Sequence, residues 1–282
     1  MNRISKIHLN ISKYLLLIAY FISVLWEIII LNKIGLDYQI QFFNLVLILG
    51  IYLSLEEKYN FFILEKNDKF SLFSVVIFVI TIIGGSNIND INDNFFYLIL
   101  PLLTIALCLY KAKKFNIFDF KSIILVPLFL PIRPLFFYLV NKLTLPLTAL
   151  STWFLLRAFD YNAVIDISKN QVLVGNRGVN ILEGCSGASQ MIFCFTLMVI
   201  FLLNYQMTGV WKKIYFLSSS LLFAYIFNII RILILAFITL YSDPSNSFWF
   251  DFFHLSYGAI IFTIIPSALS SYKFFKTLNN KI

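Results

Sequence analysis

VNILEGCSGASQ, residues 179–190, is a short polar stretch that carries a cysteine between two glycines, and an apolar run from Met191 to Leu203 follows it directly. A cysteine in this place lies at the mouth of a membrane helix, where water and lipid meet. The backbone N–H groups and the dipole of a helix N-terminus favour a thiolate. Gly184 and Gly187 leave room for a substrate backbone to approach Cys185. The stretch predicts a membrane protein with a thiol at the bilayer surface, and the thiol is either reactive or an inert small side chain.

The composition supports a membrane protein. Of the 282 residues, 60% are hydrophobic and only 13% are charged, whereas soluble domains are nearer a quarter charged. The net charge of +8 comes from Lys and Arg in short loops between apolar segments, which is typical of topology control and argues against nucleic-acid binding. The sequence contains no HExxH, Cys-x-x-Cys, Walker or GxSxG motif, so we predict no metal and no cofactor.

Apolar segments long enough to approach a membrane span recur along the whole chain. The sequence predicts an all-α polytopic membrane protein with about eight transmembrane helices, at residues 14–31, 40–55, 70–85, 95–110, 122–140, 186–204, 214–240 and 253–272. If the N-terminus is cytoplasmic, 15 of the 22 Lys and Arg residues fall on the inner side. Both termini are then cytoplasmic, and the cysteine stretch faces outward.

The longest predicted non-spanning piece, residues 141–184, precedes the sixth span. Residues 143–159 are apolar, and we predict an amphipathic or half-inserted helix on the outer surface, because a ninth span would reverse every later loop. Residues 160–184 contain the β-prone runs 163–168, 171–174 and 179–182 with turn residues between them, which predicts a small outer β-hairpin or meander. We predict a single integral membrane domain over 1–282, with four N-terminal spans in 1–121 and a catalytic core in 122–272.

Three reactive side chains converge at the outer face in this topology. Cys185 opens span six, Arg231 lies in the outer half of span seven, and His254 opens span eight. A charge inside a span costs about 2.5–3.5 kcal/mol on the mildest scale, so Arg231 either faces a polar cavity with a partner or snorkels to the interface. His254 is either the acid and base for Cys185 or only a polar cap.

Further residues are candidates to support this trio. Asn228 lies three residues before Arg231, on the same helical face, and is placed to orient the guanidinium or a substrate carbonyl. Glu183, two residues before the cysteine, either orients His254 or Arg231 or is a solvated carboxylate.

Three ordered motifs resemble the exosortase/archaeosortase family. They are Glu183-Gly-Cys185-Ser186-Gly187, Asn228-Ile-Ile-Arg231-Ile and His254-Leu-Ser-Tyr-Gly258. The resemblance covers about residues 127–265, whereas the first four spans match only in being hydrophobic. Glycine before the cysteine, where many members have alanine, is more similar to the cyanobacterial-type branch.

The resemblance implies a multi-pass membrane cysteine peptidase or transpeptidase. Its partners would be membrane lipid and exported proteins that end in a PEP-CTERM-like sorting signal: a short motif, a membrane helix and a basic tail. By the family pattern, Cys185 is the nucleophile, His254 the acid and base, and Arg231 the stabiliser. The implied location is the outer face of the plasma membrane.

Two other classes of protein stay open from the residues alone. One is a membrane thiol acyltransferase or hydrolase that acts on a lipid-linked substrate. The other is a non-catalytic transporter or assembly factor in which Arg231 is a counter-charge. Catalysis requires Cys185 to lie within direct or one-water reach of its base, and a sulfur more than about 10 Å from both His254 and Arg231 would count heavily against it.

Overall fold

The structure is a computed structural model that describes residues 25, 29, 38–57, 68–86, 96–111, 121–205, 207–242, 248–254 and 256–279. It is mostly helical in this part of the chain, with eight α-helices and a three-stranded sheet. The chain divides into two compact units, Met1–Ile132 and Arg133–Ile282. Each is described by itself below, and the prediction of a single domain stays a prediction.

The first unit contains helices α1 (Tyr38–Glu57), α2 (Asp68–Ser86) and α3 (Phe96–Lys111). Helices α2 and α3 pack together, and Ser74 Oγ of α2 donates a 2.6 Å hydrogen bond to the carbonyl of Ala106 in α3. A polar group in a membrane helix is best satisfied in this way, because lipid offers it no partner. The outward side chains of α2 are apolar, as contact with lipid requires.

Helix α4 runs without interruption from Lys121 to Ala158. The prediction of a separate surface helix at 143–159 was therefore wrong, because those residues continue the helix of the predicted fifth span. The helix continues through both Asn141 and Pro146, although these residue types favour turns and helix ends. A helix of 38 residues is about 57 Å long, nearly twice the bilayer core, so its C-terminal part can extend beyond the membrane without a further crossing.

The predicted β-meander is present. Strands β1 (Ala163–Asp166), β2 (Gln171–Val174) and β3 (Arg177–Asn180) form an antiparallel sheet in the order β1-β2-β3. Strand β3 begins two residues earlier than predicted, because Val174 pairs with Arg177 and leaves a two-residue turn at Gly175, whose φ is +60°.

Both edges of the sheet are anchored to helices of the second unit. Trp153 and Arg157 of α4 each donate a 3.1 Å hydrogen bond to the carbonyl of Ala163 in β1. At the other edge, Arg177 of β3 donates a 2.9 Å bond to the carbonyl of Leu240. The sheet therefore closes over the end of the bundle that carries the cysteine.

The rest of the second unit is a bundle of helices around the cysteine. A 3₁₀ turn (Glu183–Cys185) leads into α5 (Ala188–Asn204), followed by α6 (Val210–Tyr241), a short α7 (Phe248–His254) and α8 (Ser256–Asn279). Helices α5, α6 and α8 pack on one another. The cysteine belongs to a buried cluster with residues of α4, the sheet and α6, among them Leu156, Val172, Ile232 and Leu235.

The number of membrane spans is only partly established. Among the described helices, three are long and apolar enough to cross a bilayer, over Leu125–Ala158, Val210–Tyr241 and Tyr257–Asn279. The apolar helices Leu45–Ser54, Ser74–Gly84 and Ala188–Asn204 are shorter. The predicted first span, 14–31, lies outside the described residues apart from residues 25 and 29, which are helical. The count of eight spans stays a prediction.

Candidate active site

Cys185 ends the 3₁₀ turn and does not belong to helix α5 itself. Ser186 closes the turn, since its hydroxyl donates to the carbonyl of Glu183 at 2.9 Å and accepts from the backbone N–H of Ala188 at 3.2 Å. The second of these bonds satisfies an N–H group at the start of α5 that the helix cannot satisfy itself. Only 5% of Cys185 is exposed, so the thiol lies below the surface.

The two glycines beside the cysteine have different surroundings. Gly187 has φ +85°, and a Cβ there would lie 2.7 Å from Asn228 Nδ2. A Cβ at Gly184 would meet nothing within 4 Å. Gly187 is therefore required by backbone conformation and by close packing, whereas the expected open space lies at Gly184.

Arg231 is 2% exposed and is bound to the helix that carries the histidine. Its Nε donates to the carbonyl of Phe253 at 2.8 Å, and its Nη2 donates to the carbonyl of His254 at 3.2 Å. The last carbonyls of a helix have no partners within it, and a cation is favourable there. Of the two alternatives, the structure gives a partnered arginine rather than one that snorkels to the interface.

His254 is the last residue of α7, and its Nδ1 lies 3.9 Å from Cys185 Sγ. The ring stacks on Phe250, with centroids 5.1 Å apart. Gly258 of α8 packs against α7, since a Cβ there would lie 2.6 Å from Phe253 Cα. The thiol and the imidazole, 69 residues apart in the sequence, are therefore in direct contact.

Burial and charge set the protonation of this pair. Burial raises the pKa of the Cys185 thiol, and the positive charge of Arg231 opposes that rise. Burial lowers the pKa of His254, Arg231 lowers it further, and Asp251 opposes both. A neutral thiol therefore faces a neutral imidazole at pH 7, and the expectation that a helix N-terminus would yield a resting thiolate is outweighed by desolvation.

The described contacts of Asn228 and Glu183 include no hydrogen bond to Arg231 or His254. Asn228 Nδ2 donates a 3.0 Å bond to the carbonyl of Cys185, and the Asn228 side chain forms no hydrogen bond with Arg231. Glu183 is exposed, and its carboxylate bonds to none of the described residues, His254 and Arg231 included. Of its two alternatives, the described contacts match a solvated carboxylate.

Some neighbours of the site were not found from the sequence. Thr148 of α4 donates a 3.0 Å hydrogen bond to the carbonyl of Ser186, next to the cysteine. No motif marks a threonine in an apolar helix, and its register against residue 186 exists only in the folded chain. Asp251 was detectable, because it lies three residues before His254 and so on the same face of a helix.

The described part of the chain contains no candidate metal site. Among those residues, no three His, Cys, Asp or Glu side chains are grouped so that they could hold a metal ion.

The chain matches a known protein family. The family model described as transmembrane exosortase (Exosortase_EpsH) matches residues 34–269, well over half of the chain, and this range contains the cysteine, the arginine and the histidine. No curated protein and no solved structure matches the chain.

Proposed function

The chain belongs to the transmembrane exosortase family, and on that premise we propose that it is a membrane cysteine transpeptidase or peptidase that cleaves the C-terminal sorting signals of exported proteins. The single observation that carries the proposal is the 3.9 Å contact between Cys185 Sγ and His254 Nδ1, beside the buried charge of Arg231. A nucleophile and a base in direct contact, with a third group that orients the base, are what covalent catalysis by a thiol requires.

The first half-reaction begins with a neutral pair. His254 Nδ1 takes the proton of the Cys185 thiol as the sulfur attacks a peptide carbonyl of the sorting signal, and a C–S bond forms. The charge of Arg231 stabilises the developing thiolate and, through the low dielectric of the site, the negative tetrahedral oxygen. The C–N bond then breaks, His254 returns its proton to the leaving amine, and a thioester stays on Cys185.

The second half-reaction releases the exported protein. His254 takes a proton from an acceptor amine or from water as that nucleophile attacks the thioester, the C–S bond breaks, and the proton returns to the sulfur. Transfer to an amine and hydrolysis use the same side chains. The substrate carries its own membrane helix, so it reaches the cysteine by moving sideways in the bilayer, and the enzyme needs no large soluble domain.

We further propose that this chemistry takes place at the outer face of the plasma membrane, with both chain termini in the cytoplasm. The basic residues of the second unit support this orientation. Lys212 and Lys213 lie at the start of α6, and Lys273 and Lys276 lie near the end of α8, at the ends remote from Cys185. Basic residues accumulate on the cytoplasmic side, so the cysteine end faces outward.

The test is co-expression of an exported protein that carries a PEP-CTERM-like signal with the wild-type chain, Cys185→Ala or His254→Ala. We expect both variants to abolish processing at unchanged enzyme abundance, with a substrate thioester trapped on wild-type Cys185 alone. Cys194→Ala is the matched control, because Cys194 is also buried but contacts Ser267 and not the histidine. Processing by Cys185→Ala at the wild-type rate would refute the proposal, and a chain that tolerates Cys185→Ala but not Arg231→Ala would favour a transporter.

A further inference from the structure

Two helices hold the cysteine loop, residues 182–187, at two successive carbonyls. Asn228 Nδ2 of α6 donates to the carbonyl of Cys185 at 3.0 Å, and Thr148 Oγ1 of α4 donates to the carbonyl of Ser186 at 3.0 Å. Both Asn228 and Thr148 are fully buried, so water does not compete for these carbonyls. The backbone that carries the thiol is thus fixed from two sides.

Helix α6 also holds the backbone that carries the imidazole. Arg231 follows Asn228 by three residues and binds the carbonyls of Phe253 and His254. Residues three apart share one face of a helix and differ in height by about 4.5 Å. One face of α6 therefore ties down the thiol and the imidazole at neighbouring heights.

We propose that Asn228 and Thr148 are positioning residues that set the distance between the Cys185 thiol and the His254 imidazole. The proposal rests on the proposed function, since it assigns these two side chains to the same catalytic pair. They act through the backbone of the cysteine loop. Because misplacement by about 1 Å can cost a reaction about a hundredfold in rate, two hydrogen bonds to this loop have a large effect on chemistry.

The two positions offer sharp substitutions. Thr148→Val removes the hydroxyl at almost constant shape, whereas Thr148→Ser keeps it, and Asn228→Ala removes the amide. Thr152→Val is the control on α4, because Thr152 is equally buried but donates only to the carbonyl of Thr148, within its own helix. Ser220→Ala is the control on α6, where the buried hydroxyl of Ser220 donates only to the carbonyl of Leu217.

Each variant is measured twice, as the full-length chain in membranes. The first measurement is kcat and KM for signal processing. The second is the rate of alkylation of Cys185 by iodoacetamide as a function of pH, read by peptide mass spectrometry so that the other cysteines do not interfere. We expect Thr148→Val and Asn228→Ala to lower kcat by about tenfold to a hundredfold at unchanged KM. We also expect the pH at which Cys185 alkylation reaches half its maximal rate, the alkylation midpoint, to move in these two variants toward that of His254→Ala. Thr148→Ser and both controls should resemble the wild type.

Other results overturn the proposal. Wild-type kcat and alkylation midpoint in both Thr148→Val and Asn228→Ala would do so, as would a change in KM alone or equal losses in the controls. If Asn228→Ala does not fold, the Thr148→Val and Thr148→Ser pair decides. Alkylation requires no substrate, so the two proposals can fail separately. A chain that processes nothing, yet shows the shifted midpoint in His254→Ala and Thr148→Val, refutes the proposed function and leaves the positioning role intact.

Discussion

Arg231 combines two effects in one side chain. Its two hydrogen bonds fix the backbone of Phe253 and His254, and its charge acts on the titration of both Cys185 and His254. A substitution that separates the hydrogen bonds from the charge therefore separates geometry from electrostatics.

We predict that Arg231→Gln raises the pKa of both Cys185 and His254. Without the cation, the thiolate of Cys185 loses its stabilisation, so its pKa rises still further above the ordinary value of 9.0. The imidazolium of His254 loses a repulsion, so its pKa rises from its lowered position toward the ordinary value of 6.5. The first measurement is the pH dependence of Cys185 alkylation, whose midpoint should move to higher pH. The second is the acid limb of the pH–rate profile for processing, which should move up toward pH 6.5, because a protonated His254 cannot accept the thiol proton.

Arg231→Lys is the comparison for this prediction. Lysine keeps the charge but cannot reproduce the planar fork of the guanidinium. The alkylation midpoint of Arg231→Lys should stay near that of the wild type, because the charge is kept. The processing rate should fall, because His254 is held less firmly. An unshifted midpoint in Arg231→Gln would show that the charge does not act on the thiol.

The sequence located the reactive side chains well and their neighbours poorly. Counting charges placed Cys185, Arg231 and His254 at one membrane level, and the structure brings the thiol to the imidazole and the guanidinium to the carbonyl of His254. The sequence could not predict the hydrogen-bond partner of Asn228, because that partner depends on the rotation of α6 against the cysteine loop. Thr148 is one of several buried threonines on α4, and only tertiary packing distinguishes it.

At the scale of elements, the cysteine loop depends on the packing of Gly187 against α6. We predict that Gly187→Ala destabilises the protein, because an alanine would have to keep φ near +85° and place its Cβ against the Asn228 amide. A strained backbone of this kind costs about 1–3 kcal/mol before the overlap is counted. The temperature of thermal unfolding in detergent should fall, and the processing rate should fall with it.

Gly184→Ala is the matched substitution, three residues before Gly187 in the same cysteine loop. Its Cβ would enter open space, so the stability change should stay within about 0.5 kcal/mol. Equal destabilisation by the two alanines would mean that the left-handed turn at Gly187 is not what the loop requires.

The elements themselves were predictable where short-range signals decide them. Alternation and the Gly175-Asn176 turn gave the meander to within two residues. Helix α4 was divided wrongly because the prediction allowed each apolar helix only the length of one membrane crossing, whereas α4 has 38 residues. The short helix α7 was missed because seven residues carry too little periodicity to be recognised.

At the scale of the whole molecule, the proposed orientation can be tested directly. We predict that Asn176→Cys, in the exposed turn of the sheet, reacts with a membrane-impermeant maleimide in intact cells. Lys212→Cys, at the exposed start of α6, should react only after permeabilisation. The unsubstituted chain gives the background, and labelling in the opposite order would place the cysteine on the cytoplasmic side.

Helix α6 has a consequence for the bilayer itself. Asn228 lies about 27 Å along the helix from its start at Val210, close to the roughly 30 Å thickness of the hydrocarbon core. On the proposed function, the protein thus holds its chemistry at a fixed height, set by the number of residues in one continuous helix. The proposed substrate, anchored by its own membrane helix, takes its height from the lipid instead. Acyl-chain length therefore becomes a variable of catalysis, since hydrophobic mismatch moves the scissile bond relative to a thiol that does not move with it.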